Sequence, residues 1–327
     1  MNIDRRQLLQ VGAAAGLTAG CYGLLPTATA ADQKSIPIVD THQHLWDLER
    51  FSPPWLAGAP EVIASTHVTA DYLKATKGLN VVKSVYMEID VAPEQQVQEA
   101  EHVIALSKSP DHPTVAAVIS GRPASSEFGS YIKPLAKSPY IKGVRQVLQV
   151  DSTPKGYCLE DQFVESVHLL GELNLSFDLC MRPMELADGA ALAKRCPDTR
   201  FIVDHCGNGD PKAWMKSASS EPWHDVTTWK RGIESLAKND NTVCKISGII
   251  ARAPKGWKSD DLAVIVNFCL EAFGPDRVMF GSDWPVCKIG ASLRDWINAL
   301  KEIVADRPIS EQNKLFHQNA IDFYKLS

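Results

Sequence analysis

Residues 38–46 read I-V-D-T-H-Q-H-L-W, an apolar run that ends in two histidines one residue apart. A β-strand turns alternate side chains to one face, so His42 and His44 point the same way, close enough for their imidazoles to share one ion. An isolated H-x-H is as often chance as design, so the rest of the chain has to decide. Three further stretches supply matching chemistry: Arg145-Gln146, D-H-C-G at 204–207 and G-S-D-W-P at 281–285. His42, His44, His205 and Asp283 together offer the nitrogen and oxygen donors that zinc or a similar divalent ion accepts, with one position open for water. Such an ion lowers the pKa of water from about 15.7 to about 7, and Asp283 is then placed to orient that water and take its proton. Each residue also has a purely structural reading. His205 alone suits a hydrogen-bonded core histidine, and Asp283 alone suits a turn cap. Glu88 and Asp178 suit ion-pair partners, among Lys245 and Arg145, as well as they suit catalysis.

These residues need elements to deliver them. Short β-rich runs recur near 38–41, 82–88, 115–120, 143–148, 175–181, 201–204, 243–247 and 278–281. Between them lie stretches whose apolar residues return at three- and four-residue steps, such as 93–108 and 159–173. Strand and helix thus alternate eight times, which predicts an α/β fold, a single-domain (β/α)8 TIM barrel over residues 31–327. A doubly wound open sheet is the competing arrangement, but no G-x-G-x-x-G or P-loop follows any of the strands. In a barrel the active site lies at the carboxyl ends of the strands, where the polar residues above fall. The segments 51–60 and 207–222 are expected as loops over its mouth.

The chain of 327 residues is 45% hydrophobic and 22% charged, a balance that fits one large globular unit and gives no stretch arguing for disorder. Its first 30 residues differ. Arg5-Arg6, a mild Ala/Gly/Leu run and Ala28-Thr29-Ala30 are the parts of a twin-arginine export signal, read by the Tat machinery and cleaved before Ala31. The mature protein is then expected outside the cytoplasm, in the periplasm or beyond, with lipid attachment at Cys21 as the lesser alternative. Cleavage leaves 32 Lys and Arg against 38 Asp and Glu, which does not suit a nucleic-acid or anionic membrane surface. The seven remaining cysteines lie mostly in apolar runs with no C-x-x-C, and read as small buried hydrophobes, not as a disulfide framework.

V-D-T-H-Q-H-L-W-D, P-W-L at 54–56, K-G-V-R-Q at 142–146, D-H-C-G, C-K-I-S-G at 244–248 and F-G-S-D-W-P at 280–285 together resemble the amidohydrolase superfamily, and within it the lactonase branch. That branch includes L-fuconolactonase, L-rhamnonolactonase, sulfomuconolactonase and pyrone-dicarboxylate lactonase. The resemblance implies a hydrolase that opens a sugar lactone or related cyclic ester. In it His42, His44, His205 and Asp283 match metal and base positions, and Arg145 matches an arginine that faces substrate oxygens. Trp46, Glu88, Gln146 and Trp284 are expected beside substrate as well. The chain departs from the binuclear pattern, because it has Arg145-Gln146 and F-D-L-C-M-R where bridging and additional metal ligands would stand. One divalent ion, zinc, is therefore implied, although some members of the branch work without metal. Gln146 also replaces a histidine common in the branch and cannot act as acid or base. Two other functions share the scaffold: decarboxylation of an unsaturated acid, and sugar binding without turnover.

Overall fold

The computed structural model describes residues 36–215 and 220–326. The expected export signal, with Arg5-Arg6 and Cys21, lies outside these residues. Eight parallel strands, β1 (Ile38–Gln43), β2 (Val81–Met87), β3 (Thr114–Ser120), β4 (Ile141–Val147), β5 (Ser176–Cys180), β6 (Arg200–Val203), β7 (Thr242–Ile246) and β8 (Val278–Phe280), pair in chain order. Their Val, Ile and Phe content is what strands buried on both faces require. The helices that cover them include α1 (Thr69–Thr76), α2 (Gln96–Ser107), α3 (Phe128–Leu135), α4 (Asp161–Glu172), α5 (Leu186–Arg195), α6 (Val226–Ala237), α7 (Ser259–Phe273) and α8 (Leu293–Ile303). α8 shows why they form: Leu293, Trp296, Ile297 and Leu300 make one buried stripe at helical spacing, and the Ser292 hydroxyl accepts the Asp295 N–H at its start.

The sheet closes through the segment after β8 rather than through β8 itself. Asp283 N–H donates to His42 O at 2.9 Å and His44 N–H to Trp284 O at 2.8 Å. The Asp40 carboxylate also accepts the Ser282 N–H at 2.8 Å. The result is the nearly closed barrel that the alternating pattern predicts.

Side chains divide as a barrel demands. Val39, Val85, Val118 and Met279 form an inner apolar layer, with Tyr324 of the C-terminal helix (Asn319–Tyr324) against it. Phe177, Phe201, Ile246 and Phe280 belong to the larger layer between sheet and helices. β1 breaks its own alternation: Asp40 pairs with Ser84 and Gln43 with Tyr86, so β1 holds one residue more than β2 over that span. This bulge shifts the parity of the strand. Val39 faces the inner layer and Asp40 the helix side, where the Tyr72 hydroxyl donates to it at 2.7 Å, yet His42 and His44 reach the catalytic mouth. The seven described cysteines are all buried and free. No described helix is long and apolar enough to cross a membrane.

Candidate active site

His42, on the bulged end of β1, is fully buried. Its ring centroid is 4.9 Å from that of His44 and 4.5 Å from that of His205. Asp283 Oδ1 lies 3.7 Å from His42 Nε2 and 3.4 Å from His44 Nε2. His44 Nδ1 is 3.0 Å from the Met87 carbonyl, which can only accept, so Nδ1 carries a proton and Nε2 is turned toward Asp283. His42 Nδ1 likewise faces a carboxylate, that of Asp204 at 3.5 Å.

His205 is held by backbone geometry that few sequences adopt. His205, Cys206, Gly207 and Asn208 all have φ between 53° and 61°, a left-handed turn directly after β6. Non-glycine residues there cost roughly 1–2 kcal/mol each and persist only when the surroundings fix them. Here Asn208 Nδ2 donates to Met181 O at 2.8 Å, Trp229 Nε1 donates to Cys206 O at 2.9 Å, and His205 Nδ1 lies 3.0 Å from Ser247 Oγ. Gly248, at φ 69°, gives the imidazole its space: a Cβ on it would fall 2.2 Å from His205 Nδ1.

A charge network supports the histidines from below. Arg145 Nε donates to Glu88 Oε1 at 2.5 Å and Nη2 to Glu88 O at 2.9 Å. Arg145 Nη1 is 3.2 Å from His42 Nε2 and 3.6 Å from Asp204. Lys245 bonds Asp178 at 2.5 Å and lies 3.3 Å from Asp204. Burial holds His42 well below the usual histidine range, against the pull of Asp204, so its imidazole is neutral. Burial alone would raise Asp204, but Lys245 and then His42 keep it ionised. Burial would raise Asp283 too; the neighbouring His205, a hydrogen bond with His44 and the field of His42 hold it down to about 2. Arg145 keeps its charge although burial opposes it, because Glu88 faces it.

The donor set fits one divalent ion. Ligand atoms about 2.0–2.1 Å from zinc in tetrahedral array stand about 3.4 Å apart. The contacts of Asp283 with the two Nε2 atoms, 3.4 and 3.7 Å, are of that size. His42, His44 and Asp283 would therefore hold the ion, with His205 beside them. A second grouping, His42, Asp204 and His205, suits it less, because Asp204 already answers Lys245 and Arg145.

A cavity of about 360 Å³ opens on this cluster, lined by His44, Arg145, His205 and Asp283. Other residues expected beside substrate lie elsewhere. Glu88 is fully buried beneath Arg145, as an ion-pair partner. Gln146, whose direction alternates with that of Arg145, lines an adjoining cleft with Arg122 and Tyr157, which shares Asp90, Val147 and Val150 with the cavity. Trp46 is buried with its indole N–H on Ser65 O, and Trp284 packs on Tyr72 and lines another surface cleft. Asp283 is not the cap of its turn: the hydroxyl that accepts the Trp284 N–H is that of Ser282, at 2.9 Å. The walls instead include Trp55, Asn208 and Arg252. Trp55 lies within the P-W-L stretch, but nothing in the spacing of Arg252 marks it.

The amidohydrolase family profile matches residues 39–326, nearly the whole barrel. The chain belongs to the amidohydrolase family. Among curated relatives, an L-fucono-1,5-lactonase from Burkholderia multivorans is 26% identical, over 88% of this chain and 96% of that protein. An L-rhamnono-gamma-lactonase from Scheffersomyces stipitis is 25% identical over 57% of this chain and 59% of its own. A solved amidohydrolase from Burkholderia multivorans with zinc bound is 22% identical, with a TM-score of 0.76 over 89% of this chain and all of that one. The likeness to that structure carries the barrel fold.

Proposed function

We propose that this amidohydrolase is a lactonase that opens a cyclic ester by attack of water, with zinc as its single ion. The observation that carries the reading is the meeting of Asp283, His44 and His205 with the Arg145 guanidinium at one end of one cavity. The relatives named as lactonases support the choice of a cyclic ester. Asp283, ionised and in contact with His42 and His44, takes a proton as the water oxygen bonds to the acyl carbon. Arg145, locked by Glu88, turns N–H groups toward the oxygen on which negative charge develops. Collapse breaks the ring C–O bond, and the proton passes from Asp283 to the departing alkoxide, giving a hydroxy acid. Bound zinc would supply the acidity that a carboxylate as weakly basic as Asp283 needs in its water.

The test is a panel of aldonolactones, muconolactones and simple acyclic esters, with acid release and gas evolution both recorded. Ring opening with no carbon dioxide is expected; carbon dioxide without ring opening would favour a decarboxylase, and binding without turnover a carbohydrate-binding barrel. We also propose that the protein acts outside the cytoplasm, on the strength of Arg5-Arg6 and Ala28-Thr29-Ala30. Arg5-Arg6→Lys-Lys should leave full-length protein inside the cell, and an unchanged exported fraction in a fractionation experiment would remove this part of the reading.

A further inference from the structure

The cavity contains a second guanidinium for which ring opening has no use. Arg252 ends the short turn Ile249–Arg252 that follows β7 and lines the same cavity as Arg145 and Asp283. Its guanidinium carbon stands 4.0 Å from the centroid of the Trp223 ring. Trp223 is fixed in turn, because its backbone N–H donates to Asp210 Oδ2 at 3.0 Å, while Asp210 Oδ1 accepts the Lys212 N–H at 3.0 Å. Stacking occupies one face of the planar cation and leaves its N–H edges available for a carboxylate.

Those edges have no hydrogen bond or ion pair among the described residues, whereas the cavity's other guanidinium is paired with Glu88 and lies beside Asp204. Asp210 and Asp283 are the carboxylates whose fields reach Arg252. Both are committed elsewhere, Asp210 to backbone N–H groups and Lys212, Asp283 to the histidines. A largely buried cation without a partner is costly, and a fixed, stacked one is pre-organised for an anion. The rest of the wall adds a second indication. Trp55, Ile89, Val147, Val150, Val286 and Ile289 give it a mainly apolar surface. Besides the reacting cluster and Arg252 it offers Asp90, Gln149 and Asn208 as polar groups, fewer than the hydroxyls of a polyhydroxylated ring would use, and it suits an unsaturated or alkyl ring better.

Building on the ring-opening reading, we infer that the preferred substrate is an acidic lactone, with an ionised carboxylate away from the scissile ester that pairs with Arg252. Arg252 is then a specificity-determining residue, and Trp223 positions it. A sugar lactone such as the named relatives open would leave Arg252 without a partner.

The test compares a carboxymethyl-substituted butenolide with its primary amide, which has the same ring and no charge, on the full-length purified protein. The wild type is expected to favour the acid in kcat/KM by about tenfold to a hundredfold, carried mainly by KM, the range for a charge-assisted pair. Arg252→Gln should bring the acid-to-amide ratio near one, and Arg252→Lys should keep part of it. Equal rates for acid and amide in the wild type would overturn the inference, as would a ratio unchanged in a folded Arg252→Gln protein. If Arg252→Gln does not fold, the wild-type ratio and the Arg252→Lys ratio still decide. If the wild type opens neither ring but opens an aldonolactone, the inference is overturned and the lactonase reading stands; if it opens no lactone at all, the lactonase reading fails by itself. Glutarate then reads Arg252 directly: it should raise the melting temperature of the wild type and not of Arg252→Gln, and no rise in the wild type would overturn the assignment.

Discussion

Asp283→Asn is expected to lower kcat for ring opening by at least about a hundredfold, within the ~10²–10⁴ range of general-base assistance, while the melting temperature falls no further than that of the metal-stripped wild type. The substitution is unusually clean here for a reason of backbone geometry. Asp283 has φ 55°, and asparagine tolerates the left-handed region as well as aspartate does. The hydrogen bonds that anchor the position are made by its backbone, N–H to His42 O at 2.9 Å and O from Cys287 N–H at 2.8 Å, and survive the change. What disappears is the carboxylate's charge and basicity beside His42 and His44, and with them one ligand of the ion. A structural role would predict a small loss, and the Ser282 hydroxyl already serves the turn. The measurement is kcat beside a melting curve. Normal melting with near-normal kcat would remove Asp283 from the mechanism. Early melting would move the question to Asp283→Glu, which restores charge but shifts the oxygen and should recover stability before rate.

The barrel was legible because strand-forming runs and helical periodicity alternate without interruption. Each expected strand falls within two residues of an observed one, as for 82–88 against Val81–Met87. The metal-type residues were legible because strand ends are where a barrel exposes polar groups, and His42, His44, His205 and Asp283 do converge. Orientation was less so. Strand alternation separates Arg145 from Gln146, and the sequence alone shows which pair alternates but not which member faces the cavity. The bulge in β1 adds a residue that hydropathy cannot count, so simple alternation would put His42 on the side of Asp40. Trp46 and Trp284 looked like substrate walls because large aromatics at strand ends suit that role, but both found closer packing within the protein. Nothing in the sequence marks Arg252, because its meaning depends on a contact with Trp223, 29 residues away with α6 and β7 between them. A contact between the turns that flank a helix and a strand leaves no periodic trace.

The purified protein is expected to contain up to one divalent ion per chain, most readily zinc, and His42→Ala to contain almost none. Loss of a partner that only supports a ligand typically costs about 10–100-fold in metal affinity, and loss of a ligand costs more. His42 also lies 3.5 Å from Asp204, inside a buried charge network, so removing it threatens the fold as well as the ion. His44→Ala separates these effects, because His44 contacts Asp283 and the Met87 carbonyl but no part of the Asp204–Lys245 network. Both variants should lose the ion, and His44→Ala should melt as the metal-stripped wild type does. An ion present at a hundred times its dissociation constant stabilises by about 2.7 kcal/mol, so chelation should itself lower the melting temperature. Elemental analysis gives the stoichiometry and calorimetry the stability. The contact between Arg145 Nη1 and His42 Nε2, 3.2 Å, sets the opposing outcome. An N–H aimed at that lone pair competes with an ion for the same nitrogen. If the arginine keeps it, the protein will be isolated without metal and its activity will survive chelation. The histidines would then act as a hydrogen-bonding frame for water, with Asp283 as the sole base.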